Sequence, residues 1–500
     1  MLHKEDPKHK RCQYDYTSLD DLVPKDHLLR KVDQIVDFSF IYDLVEDSYC
    51  KNNGRPSLDP VLLIKIPLIQ YLFGIRSMRQ TIKEIQVNVA YRWFLGLGLN
   101  DPVPHFTTYG KNYVRRFAEN NVIEEIFEYI LQLCQDNGFI DTTDIFIDGT
   151  HIKAGANNRK YSEKTVEVQA KFLSEKLEKE INIDRKKHGK KPLKPAKTKK
   201  FKAQKISKTD PDSGWFHKGE HKQVFAYNAQ VACDKNGWVL AYSVDSGNIH
   251  DTQMFPKIFD KIKKYSPSYL IADTGYKTPT IAKFLLSQGI TPVFPYKRPG
   301  GKKGKLRPKD FVYDEYYDCF LCPNDQVLKY STTNRDGYRE YKSDPHICKN
   351  CQLLQSCTES KKHQRIITRH IWHDHIETCE DIRHQTKIRP KYKARSETIE
   401  RLFGSAKEYH NMRYAREIGK SKIEAKVGLT LACLNLKKLV KMLGKSPDLP
   451  LLFRQIISIY IKKDKHSLNK MRFVFNLKGG IYHLFSTYKE SLLSNTRKFS

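Results

Sequence analysis

The stretch that decides the fold is Asp144-Ile-Phe-Ile-Asp148-Gly-Thr150, a short apolar run that ends in a carboxylate and a turn. An apolar run of this length between turn signals predicts a buried β-strand. Similar runs follow it, with a hairpin signal at Asp234-Lys-Asn-Gly237 between the first two. These runs are Val224–Cys233, Trp238–Val244, Tyr269–Ala272 and Ile290–Tyr296. With a helix predicted over Thr278–Ser287, they indicate an α/β fold with a mixed sheet.

The region before this strand, residues 1–140, is predicted to be helical. Ser77 caps a helix that we expect to run on to Trp93, and Thr107 or Thr108 caps a later one. A compact helical module of this kind fits helix-turn-helix DNA binding. A helical packing or dimerisation domain fits the sequence equally well.

The charge balance predicts a polyanionic partner. Lys and Arg number 88 against 57 Asp and Glu, a formal net charge of +31. Nucleic acid is the leading partner class, with an anionic membrane surface or an acidic protein as alternatives. The longest apolar stretch, Val61–Ile75, contains Lys65 and Pro67 and is too short to span a membrane. Residues 1–12 are charged and lack the apolar segment of a secretory signal, so we expect a cytoplasmic protein.

The α/β core is predicted to be interrupted twice. Its first part covers residues 141–296 and contains a Lys-rich insertion at 159–212, and a cysteine-rich insertion follows at 297–385. Core helices return at 386–445, and a basic tail occupies 446–500.

Secondary structure is expected to be uneven around these insertions. Val166–Ile181 is predicted to be a helix, whereas the Lys- and Pro-rich Arg185–Lys208 is expected to lack regular structure without a partner. Further helices are predicted around Lys391–Lys407 and Ile423–Leu443.

The cysteine-rich insertion has the spacing of a structural zinc site. Two C-x2-C pairs, each able to place two thiolates on one ion, are followed by a further cysteine. These residues are Cys319, Cys322, Cys348, Cys351 and Cys357. Strand-like segments between the pairs fit a small zinc ribbon. Either Cys351 or Cys357 supplies the fourth ligand, with His346 as a distant candidate, and free thiols are the alternative.

Two carboxylates follow predicted strands of the core. Asp148 and Asp273 each end an apolar strand and precede a glycine-containing turn. Carboxylates at the ends of neighbouring strands converge at one edge of an α/β sheet. Hard oxygen ligands of this kind suit Mg²⁺ or Mn²⁺. The alternative is that each aspartate only stops its strand and opens a turn.

A third acidic residue lies on a predicted amphipathic helix. Ile399, Leu402, Phe403 and Ala406 form its apolar stripe, so Glu400 and Lys407 share the polar face, with Arg401 beside them. Such a face can bind a metal through the carboxylate and phosphates through the cations. An ordinary solvated helix with charge pairs is the alternative.

Taken together, these motifs resemble the catalytic signature of DDE transposases of bacterial insertion sequences. The matching motifs are Phe146-Ile-Asp148-Gly-Thr150, Ile271-Ala-Asp273-Thr-Gly275-Tyr276 and Ile399-Glu400-Arg-x-Phe403-Gly-x-x-Lys407. Tyr392, Arg395, Glu400 and Lys407 resemble the family's Y-x2-R-x3-E-x6-K helix, although Arg395 is one residue too far from Glu400. Glu397 competes with Glu400, which is in phase with Phe403 and Lys407. The segment Asn248-Ile-His250-Asp251 is also similar to a recurring element of the family.

The resemblance implies a ribonuclease H-like core in which Asp148, Asp273 and Glu400 bind two Mg²⁺ or Mn²⁺ ions. Asp148 would bridge both ions, and the other two carboxylates would each hold one. The implied reaction is hydrolysis at the transposon ends, followed by attack of the freed 3′ hydroxyl on target DNA. Metal ions assist both steps by activating the attacking oxygen and stabilising the leaving oxygen.

The resemblance also implies DNA contacts, which we assign to Tyr392, Arg395, Arg401 and Lys407, with Arg115 and Arg116 on the helical module. Bringing two DNA ends together implies at least a homodimer on DNA, in the bacterial cytoplasm at the nucleoid. One alternative is a metal-dependent nuclease on the same core without strand transfer. The other is a DNA-binding protein without enzymatic activity, in which zinc and positive charge account for the function and the acidic residues are structural.

Overall fold

The structure, a computed structural model, describes residues 16–50, 56–167, 172–194, 201–218, 222–297, 300 and 304–444. Contacts divide the chain into two units, residues 1–437 and 438–500. The first unit contains two β-sheets. In the second, the structure describes residues 438–444, at the end of the last helix. Within the described ranges no helix is both long and apolar enough to cross a membrane.

The N-terminal region is helical, as its caps and apolar runs predict. Its α-helices are α1 Leu19–Leu22, α2 Leu28–Ile35, α3 Phe40–Val45, α4 Pro60–Leu72, α5 Met78–Val87, α6 Val89–Leu95, α7 Phe106–Asn112 and α8 Val122–Asp136. A 3₁₀ turn, Glu46–Ser48, follows α3, and a π-helical turn, Tyr113–Phe117, follows α7.

Two details of this region differ from the sequence prediction. Ser77 caps α5 through the Gln80 N–H, but the helix stops before Trp93. Asn88 breaks it because its side chain accepts the Tyr91 N–H and caps α6 instead. The cap of α7 is His105, whose Nδ1 accepts the Thr107 N–H, rather than Thr107 or Thr108.

The larger sheet has eight strands in the order β2-β3-β4-β5-β1-β7-β8, with β6 also paired to β5. These strands are β1 Asp144–Lys153, β2 Tyr161–Glu167, β3 Phe201–Ser207, β4 Gly214–Lys218, β5 Lys222–Asp234, β6 Val239–Ser246, β7 Tyr269–Ile271 and β8 Thr291–Val293. The pairs β1–β5 and β5–β6 are antiparallel, whereas β7 runs parallel to both β1 and β8. The prediction of an α/β fold with a mixed sheet is confirmed.

Helices α9 Ser174–Lys187, α10 Asp251–Ile262 and α11 Pro279–Ser287 lie between these strands in sequence, and a 3₁₀ turn, Lys263–Tyr265, follows α10. The expectations for the Lys-rich insertion are therefore partly wrong. Residues 161–167 form β2, so the helix starts only at Ser174, and residues 201–207 form β3. Antiparallel pairing with β3 satisfies the backbone groups of β2 that face it, although the sequence of both strands is rich in lysine.

The smaller sheet is formed by the cysteine-rich region and has the order β13-β12-β11-β10-β9. Its strands are β9 Val312–Asp314, β10 Cys319–Leu321, β11 Val327–Thr333, β12 Tyr338–Lys342 and β13 Ile366–His370, after a 3₁₀ turn, Pro308–Asp310. The last helices are α12 Pro345–Lys349, α13 Leu354–Cys357, α14 His373–His384, α15 Ile388–Lys393, α16 Ile399–Tyr409 and α17 Lys420–Leu443.

Helix α9 contacts both the smaller sheet and the core around the larger one. Asp184 accepts hydrogen bonds from Arg339 at 2.6 and 2.9 Å and from the Thr333 hydroxyl at 2.6 Å. In the middle of α9, one turn before Asp184, Glu180 binds Lys283 on α11 at 2.6 Å. The two predicted insertions therefore pack together.

Candidate active site

Asp148 and Asp273 lie at the same edge of the larger sheet. Phe146 on β1 pairs with Ile271 on the parallel strand β7. Asp148 comes two residues after Phe146, and Asp273 comes two residues after Ile271. The two aspartates therefore lie equally far along their chains from this pair. The prediction that Asp148 ends its strand is wrong, because β1 continues to Lys153 and stays paired with β5 beyond Asp148. Asp148 Oδ1 accepts the Gly149 N–H at 2.8 Å within β1, and Asp273 Oδ1 accepts the Gly275 N–H at 2.7 Å in the turn after β7.

A buried arginine is bound to Asp148. Arg395 Nη2 lies 2.6 Å from Asp148 Oδ2, and Arg395 Nε lies 4.0 Å from Glu400 Oε1. The side chain of Arg395 is only 5% exposed, compared with 17% for Asp148 and 57% for Glu400. Within the described part of the chain, neither Nε nor Nη1 of this guanidinium makes a hydrogen bond. The Arg395 guanidinium thus lies between the carboxylates of Asp148 and Glu400. Two of its nitrogen atoms still have N–H groups that donate no hydrogen bond to the described residues.

The electrostatics at this edge of the sheet favour a further cation. The pKa of Asp148 is raised to about 6, chiefly by burial; Asp273 and Asp251 also act to raise it, and Arg395 opposes them. A carboxylate whose pKa is raised in spite of a bound guanidinium has neighbours whose negative charge is not fully balanced. A further cation bound at this site would balance that charge.

The prediction of a continuous helix over Lys391–Lys407 is wrong. Helix α15 ends at Lys393 and α16 starts at Ile399. In between, Ser396 Oγ donates to the Lys393 carbonyl at 3.0 Å and Thr398 Oγ1 donates to the Ala394 carbonyl at 2.7 Å. These local bonds stabilise a turn instead of a helix. The break separates Arg395 from the helix that carries Glu400 and lets its side chain reach Asp148.

Helix α16 presents Glu400 from its first turn. The predicted apolar stripe of Ile399, Leu402, Phe403 and Ala406 is buried, and the helix packs against β1. Arg401 is exposed and Lys407 is half-buried on the same helix. Helix α15 is fixed beside the site because Lys391 Nζ lies 2.6 Å from both carboxylate oxygens of Asp144.

Tyr392 lies within electrostatic reach of all three predicted carboxylates. Burial raises the pKa of its hydroxyl, Arg395 lowers it, and Asp273, Glu400 and Asp148 each raise it. The Arg395 guanidinium carbon is 5.6 Å from the centre of the Tyr392 ring. The structure therefore brings Tyr392 and Arg395 to the carboxylates.

Arg115 and Arg116 are placed on the π-helical turn that precedes α8. Arg115 is exposed. Arg116 is half-buried, lies 4.2 Å above the Tyr49 ring and donates to the Ser48 carbonyl at 3.4 Å. Part of its donor capacity is therefore used inside the helical module.

The sequence prediction missed a fourth carboxylate, Asp251 at the start of α10. Its Oδ1 accepts hydrogen bonds from Asn228 Nδ2 at 2.8 Å and Gln230 Nε2 at 3.0 Å. A Cβ placed on Gly149 would lie 2.9 Å from Asp251 Oδ1, and one on Gly275 would lie 3.4 Å from Asp251 Oδ2. Asp251 thus lies close to the residue after Asp148 in β1 and to the turn that holds Asp273.

A sequence signal for Asp251 does exist. Asn228 and Gln230 are polar residues at i and i+2 in an otherwise apolar strand, and both are buried on β5. Their amide oxygens make no hydrogen bond to any described residue. Two buried amides on one face of a strand predict a polar partner opposite, and Asp251 is that partner.

The cysteines of the small sheet are divided between two surroundings. Cys322, Cys348, Cys351 and Cys357 line one cavity, whereas Cys319 lies beside a different one with Asp314 and Asp318. Among the described side chains, no three His, Cys, Asp or Glu residues are arranged as ligands of a metal ion, at this cavity or at the sheet edge.

Comparison with protein families finds two matches. Residues 17–115 match the family described as "Transposase domain (DUF772)", and residues 321–440 match the "Transposase DDE domain" family. The second match contains Glu400 and the first ends at Arg115. The two matches confirm the resemblance to DDE transposases of insertion sequences. Comparison with curated proteins finds no match.

Comparison with solved structures finds similarity to complexes of the Mos1 transposase. The Mos1 transposase paired-end complex with the left transposon end shows 11% identity and a TM-score of 0.15, covering 52% of this chain and 65% of that chain. The Mos1 mariner paired-end complex with Mn shows 10% identity and a TM-score of 0.15, covering 50% and 63%. This chain therefore spans just under two thirds of the Mos1 chains.

Proposed function

We propose that this chain, with its two transposase family matches, is a DNA transposase that cuts the ends of an insertion sequence and joins them to target DNA. The observation that carries the proposal is the convergence of Asp148, Asp273 and Asp251 at one sheet edge, with Glu400 linked to them through Arg395. Carboxylates gathered from distant elements are a feature of metal-assisted phosphoryl transfer. The mixed sheet supports a ribonuclease H-like core.

Divalent metal ions fit the chemistry of these donors. The hard oxygens of Asp148, Asp273 and Glu400, joined by Asp251, would hold Mg²⁺ or Mn²⁺. The bound ions would activate the attacking oxygen and stabilise the leaving 3′ oxygen of the phosphodiester. Because Arg395 occupies Asp148 Oδ2, metal binding there requires Asp148 to give up that ion pair.

Arg395 would have one role while it is bound to Asp148 and another after a metal ion has displaced it. While bound to Asp148, it compensates a buried carboxylate and fixes its orientation. Once released, its planar fork of donors suits a phosphate oxygen of the DNA backbone. Its assignment as a DNA contact therefore requires that it leave Asp148. Tyr392 stacks beside it and is placed to orient the same phosphate.

Most of the DNA affinity would come from cations outside the site. Arg401 is exposed on α16, Lys407 lies on the same helix, and Arg115 is exposed on the helical module. The net charge of +31 favours backbone contacts that carry no sequence information. We propose a homodimer on DNA, since two ends must be held together for joining.

The proposed organisation is a helical domain over 1–140 and a core at 141–296 and 386–445. The insertions at 159–212 and 297–385 split this core, and the basic tail at 446–500 lies beyond the described residues.

The proposal is tested with purified protein, labelled insertion-sequence ends and target DNA in Mg²⁺. We expect cleaved ends and joined products with the wild-type chain. Glu400→Gln should lower both by about 10³-fold or more, because losing several kcal/mol of metal stabilisation costs a factor of ten per 1.4 kcal/mol. DNA affinity should change little.

Glu397→Gln is the matched control, since Glu397 is an exposed glutamate just outside α16. It should keep full activity. Cleavage without joining would instead favour the metal-dependent nuclease. Unchanged DNA binding with no cleavage by any variant, the wild type included, would favour a DNA-binding protein without enzymatic activity.

A further inference from the structure

The small sheet has a cavity lined by four thiols. Cys322, Cys348, Cys351 and Cys357 are among the residues that line a small cavity of about 30 Å³. The four cysteines therefore face one space, although they come from separate segments of the region.

The turn after β10 directs backbone donors at the first of these sulfurs. The N–H groups of Asn324 and Gln326 each donate to Cys322 Sγ at 3.4 Å. The turn is closed by the Asp325 N–H, which donates to the Cys322 carbonyl at 2.9 Å. These backbone bonds fix the position of the Cys322 sulfur at the cavity.

The other three sulfurs come from a compact helical segment. Cys348 lies in α12 and Cys357 ends α13, and Cys351 lies between these two helices. The Cys351 N–H donates to the Cys348 carbonyl at 3.1 Å, and the Cys357 N–H donates to the Leu353 carbonyl at 2.8 Å. These bonds fix the backbone of all three residues at one end of the sheet.

A cation is already present at the cavity. Arg365 lines it, with Nη1 donating to the Cys357 carbonyl at 2.7 Å and Nη2 donating to the Leu306 carbonyl at 3.1 Å. Arg365 Nε is buried and makes no hydrogen bond to any residue that the structure describes. A divalent ion with four thiolates carries a net charge of −2, which this guanidinium would partly neutralise.

Cys319 does not belong to this cluster, contrary to its pairing with Cys322 in the sequence. Its thiol is buried near Asp314 and Asp318, which raise its pKa further after burial itself. Two nearby carboxylates disfavour a thiolate. Cys319 and Cys322 therefore line different cavities, in spite of their C-x2-C spacing.

We propose that Cys322, Cys348, Cys351 and Cys357 bind one zinc ion in a closed structural site. Zinc favours four thiolate ligands in a tetrahedral site, and binding would release the thiol protons. The thiols do not stand in ligand positions without the ion, so their side chains must turn inwards around it.

The fold of this region gives a reason for such a site. The buried core of the small sheet consists of Phe311, Phe320, Leu328, Tyr341 and Ile367, with Cys322 and Cys357 packed against it. A core of this size contributes little stability, and small modules commonly add a metal for that reason. A zinc ion here would join the β10–β11 turn to α12 and α13.

The test measures metal content in the full-length chain, purified under reducing conditions. We expect one zinc per wild-type chain. Cys351→Ser and Cys357→Ser should lose it, whereas Cys319→Ser should keep it. Because Cys319 lies three residues from Cys322, this variant controls for a general effect of losing a cysteine. A wild-type chain without zinc overturns the proposal.

Cobalt substitution keeps the test decisive if a serine variant fails to fold. Co²⁺ bound by four thiolates has intense charge-transfer and d–d absorption bands. The wild type and Cys319→Ser should both show these bands at equal intensity. Equal loss of the bands in Cys319→Ser and Cys322→Ser would show that Cys319 and Cys322 bind the ion together, as their C-x2-C spacing predicts. That result would overturn the proposal. Neither measurement uses DNA, so its outcome is independent of transposase activity.

Discussion

The carboxylate site, formed by Asp148, Asp251, Asp273 and Glu400, and the thiol cavity, formed by Cys322, Cys348, Cys351 and Cys357, are built in opposite ways. The carboxylates come from distant parts of the chain and meet because β1 and β7 run parallel and α10 and α16 begin beside them. The thiols come from neighbouring segments around one small sheet.

The two sites also differ in their electrostatic surroundings. At the carboxylate site, negative groups face one another with Arg395 between Asp148 and Glu400, and Glu400 is more than half exposed. The thiol cavity is small and bordered by apolar residues and Arg365. The first arrangement suits ions that exchange and reach a substrate, and the second suits an ion that stays. This comparison predicts different responses to metal removal and to substitution.

Chelation should separate the two sites most sharply. EDTA followed by gel filtration should abolish DNA cleavage, since Mg²⁺ held at a site that includes the exposed Glu400 carboxylate would exchange readily, and added Mg²⁺ should restore it. Zinc content and thermal unfolding should not change, because four thiolates in a closed site would retain zinc. A mercurial reagent should instead release zinc and lower the melting temperature by several degrees. If EDTA lowered the melting temperature as much as the mercurial, the comparison would fail.

Asp251→Asn should lower cleavage by about 10- to 100-fold, the effect expected when a group that positions metal ligands is lost. The same variant should weaken Mn²⁺ binding measured by calorimetry. Asp260→Asn, on the same helix in an exposed ion pair with Lys263, serves as the control and should change neither quantity. Unchanged Mn²⁺ affinity in Asp251→Asn would remove Asp251 from the carboxylate site.

Gly149→Ala should destabilise the chain by about 1–3 kcal/mol, the usual cost of overpacking. The added methyl group would meet Asp251 Oδ1 at 2.9 Å and Asn228 Oδ1 at 3.1 Å. Gly404→Ala, on α16 with open space around it, should stabilise the chain by about 0.5–1 kcal/mol through helix propensity. Urea unfolding of both variants measures these values, and equal stabilities would contradict the close approach of Asp251 to β1.

The core strands β1 and β5 to β8 and the helix α11 could be predicted from the sequence because they depend on local patterns. The hairpin at Asp234 to Gly237 formed as its turn residues indicate, with the Gly237 N–H bonded to the Asp234 carbonyl at 3.0 Å. The buried stripe of α16 followed from helical spacing. The break before α16 could not be predicted, because side-chain bonds of Ser396 and Thr398 to the backbone outweighed good helical periodicity.

Long-range contacts decided what the local patterns left open. Asp251 looks like an ordinary residue of a helix start until the amides of Asn228 and Gln230 are brought against it by β5. Cys319 looks like half of a metal-binding pair until strand β10 places it beside Asp314 and Asp318. In each case the partner is chosen by packing between elements, which spacing along the chain does not encode.

The amino-acid sequence by itself determined the α/β class, the helical N-terminal region and Asp273 at the end of a buried strand, because periodicity and turn chemistry act over a few residues. Only the tertiary structure decided that Arg395 would lie on Asp148, that Asp251 would lie near Asp148 and Asp273, and that Cys357, unlike Cys319, would line the cavity shared by Cys322, Cys348 and Cys351. These choices depend on which elements pack side by side, and burial in that packing sets the charge and hydrogen bonding of each group.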